Sequence, residues 1–238
     1  MIRCKDMMKM RKCLLPVFLL ISCDVVLSHD IPGAQFAGVW EFIGNFRKFK
    51  TEPVFTPEAL AAINKQTELR EKGDYSGDTS AMCIPPSLPT MITIGAQEIL
   101  VDEKKITWIM ESTSGVRWIW LDGRQLPDLA EVRPAAFGHS VGHWEGDVLV
   151  VESIGFLDKS TVYGNRRNNE SVFPGPKMRV IERMHLEENG NVMISERTIT
   201  DPKNFAVPWT TRARYERRPD WELEETICAE NNRLDEYN

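Results

Sequence analysis

The sequence has few histidines and cysteines, and it has no run of basic residues. Only 4 His and 5 Cys occur among 238 residues, and their spacing to carboxylates resembles neither a zinc site nor a calcium loop. A formal net charge of -6 without a Lys/Arg patch argues against a nucleic-acid partner. Strands and helices do not alternate in the pattern of a parallel sheet. We therefore predict no metal, no cofactor and no nucleic-acid partner.

The first 28 residues resemble an export signal, because a basic lead precedes the apolar segment 14–22. That segment is too short to span a bilayer as a stable helix. Two ends are open. Cleavage after Ser28 releases a soluble chain, whereas residues 20–23 resemble a lipobox that leaves a lipid on Cys23. Both ends predict a periplasmic or extracellular protein, with a membrane contact only through that lipid.

After either cut, the folded part keeps only Cys83 and Cys228. Exported proteins fold in oxidising compartments, where two remaining cysteines are most simply explained as a disulfide. A reactive thiol is the alternative, but no basic or His residue lies next to either cysteine. We predict the disulfide.

One helix is predicted near residues 57–72, with Thr56 as N-cap, Pro57 in the first turn and Gly73 after the last turn. The rest of the chain has the pattern of strands and short turns. Strands are predicted at 36–49, 91–101, 106–111, 116–121, 147–152, 178–200 (a hairpin), 209–217 and 222–227. This pattern predicts an all-β fold, an antiparallel lipocalin-like barrel or a sandwich of about eight strands, in one domain from 29 to 238.

The predicted hairpin at 178–200 places charge where a core is expected. Asn189-Gly190 favours a type I′ turn, since both residues tolerate positive φ. This turn places Glu182 opposite Arg197 on a face that is otherwise mostly apolar. An inward ion pair is costly unless it is fully hydrogen-bonded. The pair is therefore either a satisfied structural pair or part of a functional site.

Gly138 to Gly142 match G-x-S-x-G, the nucleophile elbow of α/β-hydrolases. That motif requires a helix after the serine, but a turn and a strand follow Ser140, so we expect a bend shaped by glycine. His139 is predicted to lie in a loop between strands. It is a candidate general base, and the alternative is a loop histidine bonded to backbone.

Tryptophans cluster on one predicted hairpin at Trp108, Trp118 and Trp120. Such a density of aromatic side chains either fills a core or lines an apolar pocket. The alternation of side chains along the strands prevents all three from sharing one face in every register, so at least one is expected to be available to a ligand. Arg124 and Trp144 complete the predicted ligand-binding set.

Gly38-Val39-Trp40 resembles the G-x-W signature of lipocalin-like (calycin) barrels. The resemblance implies that the Trp closes one barrel end beneath an Arg from a late strand, for which Arg212 and Arg214 are candidates. The early position of the helix departs from that family, which usually carries one near the C-terminus. The resemblance therefore supports the barrel class.

A second resemblance covers roughly residues 80–230. The motifs are Cys83-Ile-Pro-Pro, Asp122-Gly-Arg-Gln-Leu-Pro, Gly-His-Ser-Val-Gly-His-Trp-Glu-Gly-Asp-Val-Leu-Val-Val at 138–151, Glu182-Arg183 and Asp201-Pro. As a set they resemble a family of exported proteins of environmental bacteria. That family brings no settled activity, so the resemblance implies export and no catalytic residues.

Two functions are consistent with these patterns. The first is an exported binding protein that holds a small hydrophobic or aromatic molecule in the barrel cavity. The second is a lyase, isomerase or hydrolase that uses acid and base groups in the same cavity. Its candidate catalytic residues are His139, Asp122, Glu152, Glu182 and Arg197.

Overall fold

The computed structural model describes residues 31–44, 51–74, 82–91, 95–165 and 170–228. It confirms an all-β fold with a single α-helix, α1 (Pro57–Glu71). The strands are β1 (Gly38–Ile43), β2 (Ala96–Val101), β3 (Lys105–Met110), β4 (Gly115–Trp120), β5 (His139–Glu145), β6 (Val148–Ile154), β7 (Tyr163–Asn165), β8 (Glu170–Val172), β9 (Arg179–Glu187), β10 (Val192–Thr200) and β11 (Trp209–Arg217).

Nine strands close into a barrel in the order β1-β11-β10-β9-β6-β5-β4-β3-β2, and β7 and β8 form a separate hairpin. Strand directions cannot alternate all the way around a closed ring with an odd number of members. One neighbouring pair must be parallel, and this pair is β4 with β5. A parallel pair needs a long connection, which residues 121–138 provide.

The β7–β8 hairpin was not predicted, and two other segments differ from their prediction. Residues 139–145 form β5 and pair with β6 along their whole length, although a bend was predicted there from the glycines and polar residues. Residues 222–227 form no strand. Pairing with a long neighbouring strand overrides the weak strand propensity of a short segment, which explains β5.

The barrel closes between β1 and β11, where Trp40 is opposite Arg217. The Arg217 guanidinium lies 4.2 Å from the centroid of the Trp40 ring and donates to the backbone carbonyls of Ala37 and Gln35 at 2.6 Å. The prediction that Arg212 or Arg214 covers this tryptophan was wrong. Both have the opposite parity to Arg217 along β11, so they point outward.

Helix α1 begins as predicted. The Thr56 side chain accepts a hydrogen bond from the Ala59 N–H at 3.1 Å, and Pro57 occupies the first turn. The helix buries only a narrow stripe, Ala59 and Ile63. It packs against β8, outside the barrel.

The β9–β10 hairpin has the predicted register, with Leu186 opposite Met193 and Glu182 opposite Arg197. Asn189 and Gly190 have φ of 55° and 86°, and the Asn191 N–H donates to the Glu188 carbonyl at 3.2 Å. Positive φ at these two central positions is what a type I′ turn requires.

Cys83 and Cys228 form the predicted disulfide, with Cα atoms 5.8 Å apart. The predicted export signal, residues 1–28, and the candidate lipidation site Cys23 lie outside the described residues. Among the helices of the described ranges, none combines the length and apolar character needed to cross a membrane.

Candidate functional site

Four side chains form a buried polar group inside the barrel, which we call the interior cluster: Arg117, Glu182, Arg197 and Tyr215. The Glu182 carboxylate accepts hydrogen bonds from Nη2 of Arg117 and, at 3.2 Å, from Nε of Arg197. Nη2 of Arg197 donates to the Tyr215 hydroxyl. All four are at most 1% exposed. The predicted inward orientation of Glu182 and Arg197 is confirmed.

Arg117 is the member that sequence reasoning missed. It lies on β4 directly opposite the buried Trp108 of β3. Residues opposite each other on paired strands share a face, so a buried Trp108 requires an inward Arg117. The sequence signal for Arg117 was the short loop between the predicted strands 106–111 and 116–121, which makes them a hairpin and pairs Trp108 with Arg117 in the observed register.

Two serines accept further hydrogen bonds from Arg117. Its Nε donates to Ser140 Oγ at 3.2 Å and its Nη2 to Ser153 Oγ at 3.0 Å, while the two hydroxyls are 2.8 Å apart. Ser140 is the central residue of the G-x-S-x-G match, yet it lies on β5 and points into the barrel. The motif therefore forms no nucleophile elbow, as the sequence analysis concluded.

The interior cluster carries a net positive charge. Burial by itself opposes ionisation of Glu182, but the charges and hydrogen bonds of Arg117 and Arg197 outweigh it and hold the pKa of Glu182 below its usual value. Burial raises the pKa of Tyr215, so its hydroxyl stays neutral at pH 7. Two guanidiniums thus share one carboxylate.

A pocket of about 500 Å³ opens beside this cluster, along the junction of β4 and β5. We call it the seam pocket. Its wall includes the outward side chains of Trp118 and Trp120, together with residues of the 121–138 connection. Arg117 and Ser140 also border it, so the pocket reaches the barrel wall next to the interior cluster. Its size is in the range of small-molecule sites, about 300–1,000 Å³.

The seam pocket exists because β4 and β5 pair over a short distance only. Ile119 pairs with Ser140 and Trp120 with Val141, while the preceding residues of both strands remain unpaired with each other. Gly138, just before β5, has φ of +66°, and a Cβ there would lie 2.6 Å from the carbonyl oxygen of Ile154. Glycine is needed at this position for the chain to enter β5.

The aromatic wall of the pocket is partly open to solvent. Trp118 is 53% exposed. The Arg124 guanidinium covers Trp120 at 3.6 Å from the ring centroid, and Asp122 holds Arg124 through an ion pair of 2.6 Å. The hydrogen bond from Arg124 lowers the pKa of Asp122. Asp122 is thus an ionised partner of Arg124 at neutral pH.

The candidate acid and base groups are not brought together. His139 is the first residue of β5, and its Nε2–H donates to the Arg133 carbonyl at 2.8 Å, which is the backbone-bonded alternative. Glu152 is on the outer face of β6, paired with Arg179 at 2.7 Å. The residues paired with Glu152 on β5 and β9 point outward too, because opposite residues on paired strands share one face of the sheet. In this arrangement His139 lines the seam pocket, whereas Glu152 faces outward and Glu182 lies in the interior cluster.

The predicted ligand-binding residues separate into two groups. Trp118, Trp120 and Arg124 line the seam pocket. Trp108 is fully buried in the core, where its indole N–H donates to Gln97 at 2.7 Å. Trp144 packs on Phe36 with ring centroids 5.5 Å apart. Trp108 and Trp144 are structural residues in this arrangement.

These features define a closed β-barrel with a charged interior and an aromatic pocket in its wall. No family model matches the sequence, and a search of curated proteins finds no match. Within the described ranges, no three His, Cys, Asp or Glu side chains converge as metal ligands would. The pocket and the interior cluster are therefore the features from which a function can be inferred.

Proposed function

We propose that this protein is an exported binding protein for a small hydrophobic or aromatic molecule, and that the seam pocket holds the ligand. The observation that carries the proposal is the outward Trp118, 53% exposed, beside a pocket of about 500 Å³. A tryptophan exposed on the wall of a pocket offers a large apolar surface that a ligand can cover. A planar ligand in the pocket would cover this ring.

The proposed position lies in the barrel wall, whereas the sequence pattern predicted a ligand in the central cavity. The interior beside the pocket contains large, fully buried side chains, among them Trp108, Arg117, Arg197 and Tyr215. The pocket between β4 and the 121–138 connection offers both space and an apolar wall. Binding is favoured over catalysis because His139, the candidate base that lines the pocket, is hydrogen-bonded to a backbone carbonyl, and Asp122 and Glu152 are each held in an ion pair with an arginine.

Replacement of Trp118 tests this proposal. We expect the Trp118→Ala variant to bind the neutral probe 2-naphthamide about tenfold more weakly than the unchanged chain, since it removes the aromatic wall. Isothermal titration calorimetry measures the affinity without relying on tryptophan fluorescence. Because the side chain is largely exposed, its loss should leave the melting temperature nearly unchanged.

A matched control is Trp221→Ala, which removes a tryptophan that is 40% exposed and does not line the seam pocket. This variant should bind 2-naphthamide as the unchanged chain does. Equal affinities for all three proteins, or a loss in the control alone, would rule out the seam pocket as the binding site.

Export is part of the same proposal, as is membership of the exported bacterial family. The Cys83–Cys228 disulfide supports export, because such bonds persist in oxidising compartments. We expect mass spectrometry of the protein from its native host to show a chain that begins at His29, or a lipid-modified chain that begins at Cys23. An intact Met1 in the mature protein would contradict export by this signal.

A further inference from the structure

The seam pocket has charged groups of one sign on its wall. Its lining includes the guanidinium residues Arg117 and Arg124, and no Asp or Glu among the described residues. Arg124 is already neutralised, since both of its hydrogen-bonding nitrogens bind Asp122. Arg117 differs because it belongs to the interior cluster, where two guanidiniums share the single carboxylate of Glu182.

Arg117 also has unused hydrogen-bonding capacity. Its Nε and Nη2 are bonded to Ser140, Ser153 and Glu182. Its Nη1, which carries two N–H donors, is buried and has no hydrogen-bond partner in the described part of the chain. Burying such a donor without a partner is costly, and the cost is larger for a charged group.

Ser140 supplies a further donor at the same wall. A serine hydroxyl donates one hydrogen bond and accepts two. If Ser153 donates to Ser140, then Ser140 accepts from both Ser153 and Arg117, and its own proton is not used by either partner. Ser153 is then satisfied as well, because it accepts from Nη2 of Arg117.

We infer that the ligand of the seam pocket is an organic anion, an aromatic or similarly planar carboxylate, whose charged group meets Arg117 and Ser140 while its apolar body lies against Trp118. This inference rests on the proposed function and narrows its ligand class. A carboxylate balances the extra positive charge of the interior cluster and accepts from the free guanidinium nitrogen. Charge-assisted hydrogen bonds of this kind are among the strongest that proteins form, and burial strengthens them.

Two probes of the same shape separate the charge from the apolar body. We expect the full chain to bind 2-naphthoate at least about tenfold more tightly than 2-naphthamide at pH 7, because only the former carries a charge for Arg117. Calorimetry with both probes measures the ratio. Equal affinities would overturn the inference and leave the proposed function standing. Failure of both probes to bind would overturn both.

The Arg117→Met variant tests whether Arg117 causes the preference for 2-naphthoate over 2-naphthamide. It keeps a long apolar side chain in the core, and we expect it to bind the two probes with similar affinities. Arg183→Met is the matched control, since it removes one surface guanidinium that pairs with Glu145 and changes the net charge equally. The control should retain the preference for 2-naphthoate.

Two further variants keep the assignment testable if Arg117→Met does not fold. Ser140→Ala removes one hydroxyl and should weaken 2-naphthoate severalfold, and more than it weakens 2-naphthamide, because hydrogen bonds to a charged acceptor are stronger. Arg124→Met removes the exposed guanidinium. A preference that is lost in Arg124→Met but retained in Ser140→Ala would overturn the assignment to Arg117 and Ser140.

Discussion

Reduction of the Cys83–Cys228 disulfide is expected to lower the melting temperature by on the order of 10 °C or more. The bond joins residues separated by 145 positions. In the chain-entropy model, opening a loop of that size lowers the free energy of the unfolded chain by about 5 kcal/mol. The melting temperature of a domain of this length falls by about 2–4 °C for each kcal/mol of stability lost. Differential scanning calorimetry with and without a reducing agent measures the shift.

The disulfide also anchors the segment that follows β11. The Ser114 hydroxyl donates to the Thr226 carbonyl at 2.5 Å, and the Glu224 N–H donates to the Glu111 carboxylate at 3.0 Å. Both contacts join this segment to the β3–β4 turn.

The Cys83→Ala/Cys228→Ala variant is the control for nonspecific effects of the reductant. It should melt at the temperature of the reduced protein, and reducing agent should not change it further. An oxidised protein that melts at the same temperature as the reduced one would contradict the predicted stabilisation.

Replacement of Glu182 by Ala is expected to cost about 3–5 kcal/mol of unfolding free energy. Glu182 is fully buried and accepts hydrogen bonds from Arg117 and Arg197. Its removal leaves two buried guanidiniums without their counter-charge, and breaking a buried pair in this way is far more damaging than replacing the whole group by apolar residues. Urea unfolding gives the free energy of unfolding directly.

Glu196→Ala is the matched control from the same hairpin. Glu196 is exposed on the outer face of β10, opposite Arg183 and Arg212. Exposed ion pairs contribute little, so its loss should change stability by less than about 1 kcal/mol. Equal losses for the two variants would mean that Glu182 is not the counter-charge of a buried cluster.

The pH dependence of stability gives a second signature of Glu182. Its pKa in the folded protein lies below the usual value of 4.5, because two guanidiniums favour the carboxylate. The unfolded chain therefore takes up the proton first as pH falls. The stabilisation is present above the unfolded pKa and is lost as pH decreases through the folded pKa. Glu182→Gln should lack this part of the acid-induced loss.

Local patterns in the sequence determined several features of this protein. The Thr56-Pro57 start predicted α1, and two cysteines in a chain with a predicted export signal predicted the disulfide. Asn189-Gly190 fixed the register of β9 with β10, and the alternation of apolar residues then placed Glu182 inside. These features depend on neighbouring residues or on a turn, so their physical causes can be read from short segments.

The contents of the site were decided by tertiary structure. The period of two along a strand tells which side chains share a face, but it does not tell which strand lies alongside. Arg117 of β4 meets Glu182 of β9 because the barrel closes with only β5 and β6 between these two strands, so that both side chains enter the same interior. Ser140 faces inward because residues 139–145 form a strand there.

The seam pocket is a consequence of closure. A ring with an odd number of strands requires one parallel pair, and the short pairing of β4 with β5 leaves the gap that the 121–138 connection covers. Which distant segments pair depends on the hydrogen bonding and packing of all the strands together. The sequence therefore determined the elements and the inward charges, whereas only the closed barrel determined which charges meet and where a ligand can reach them.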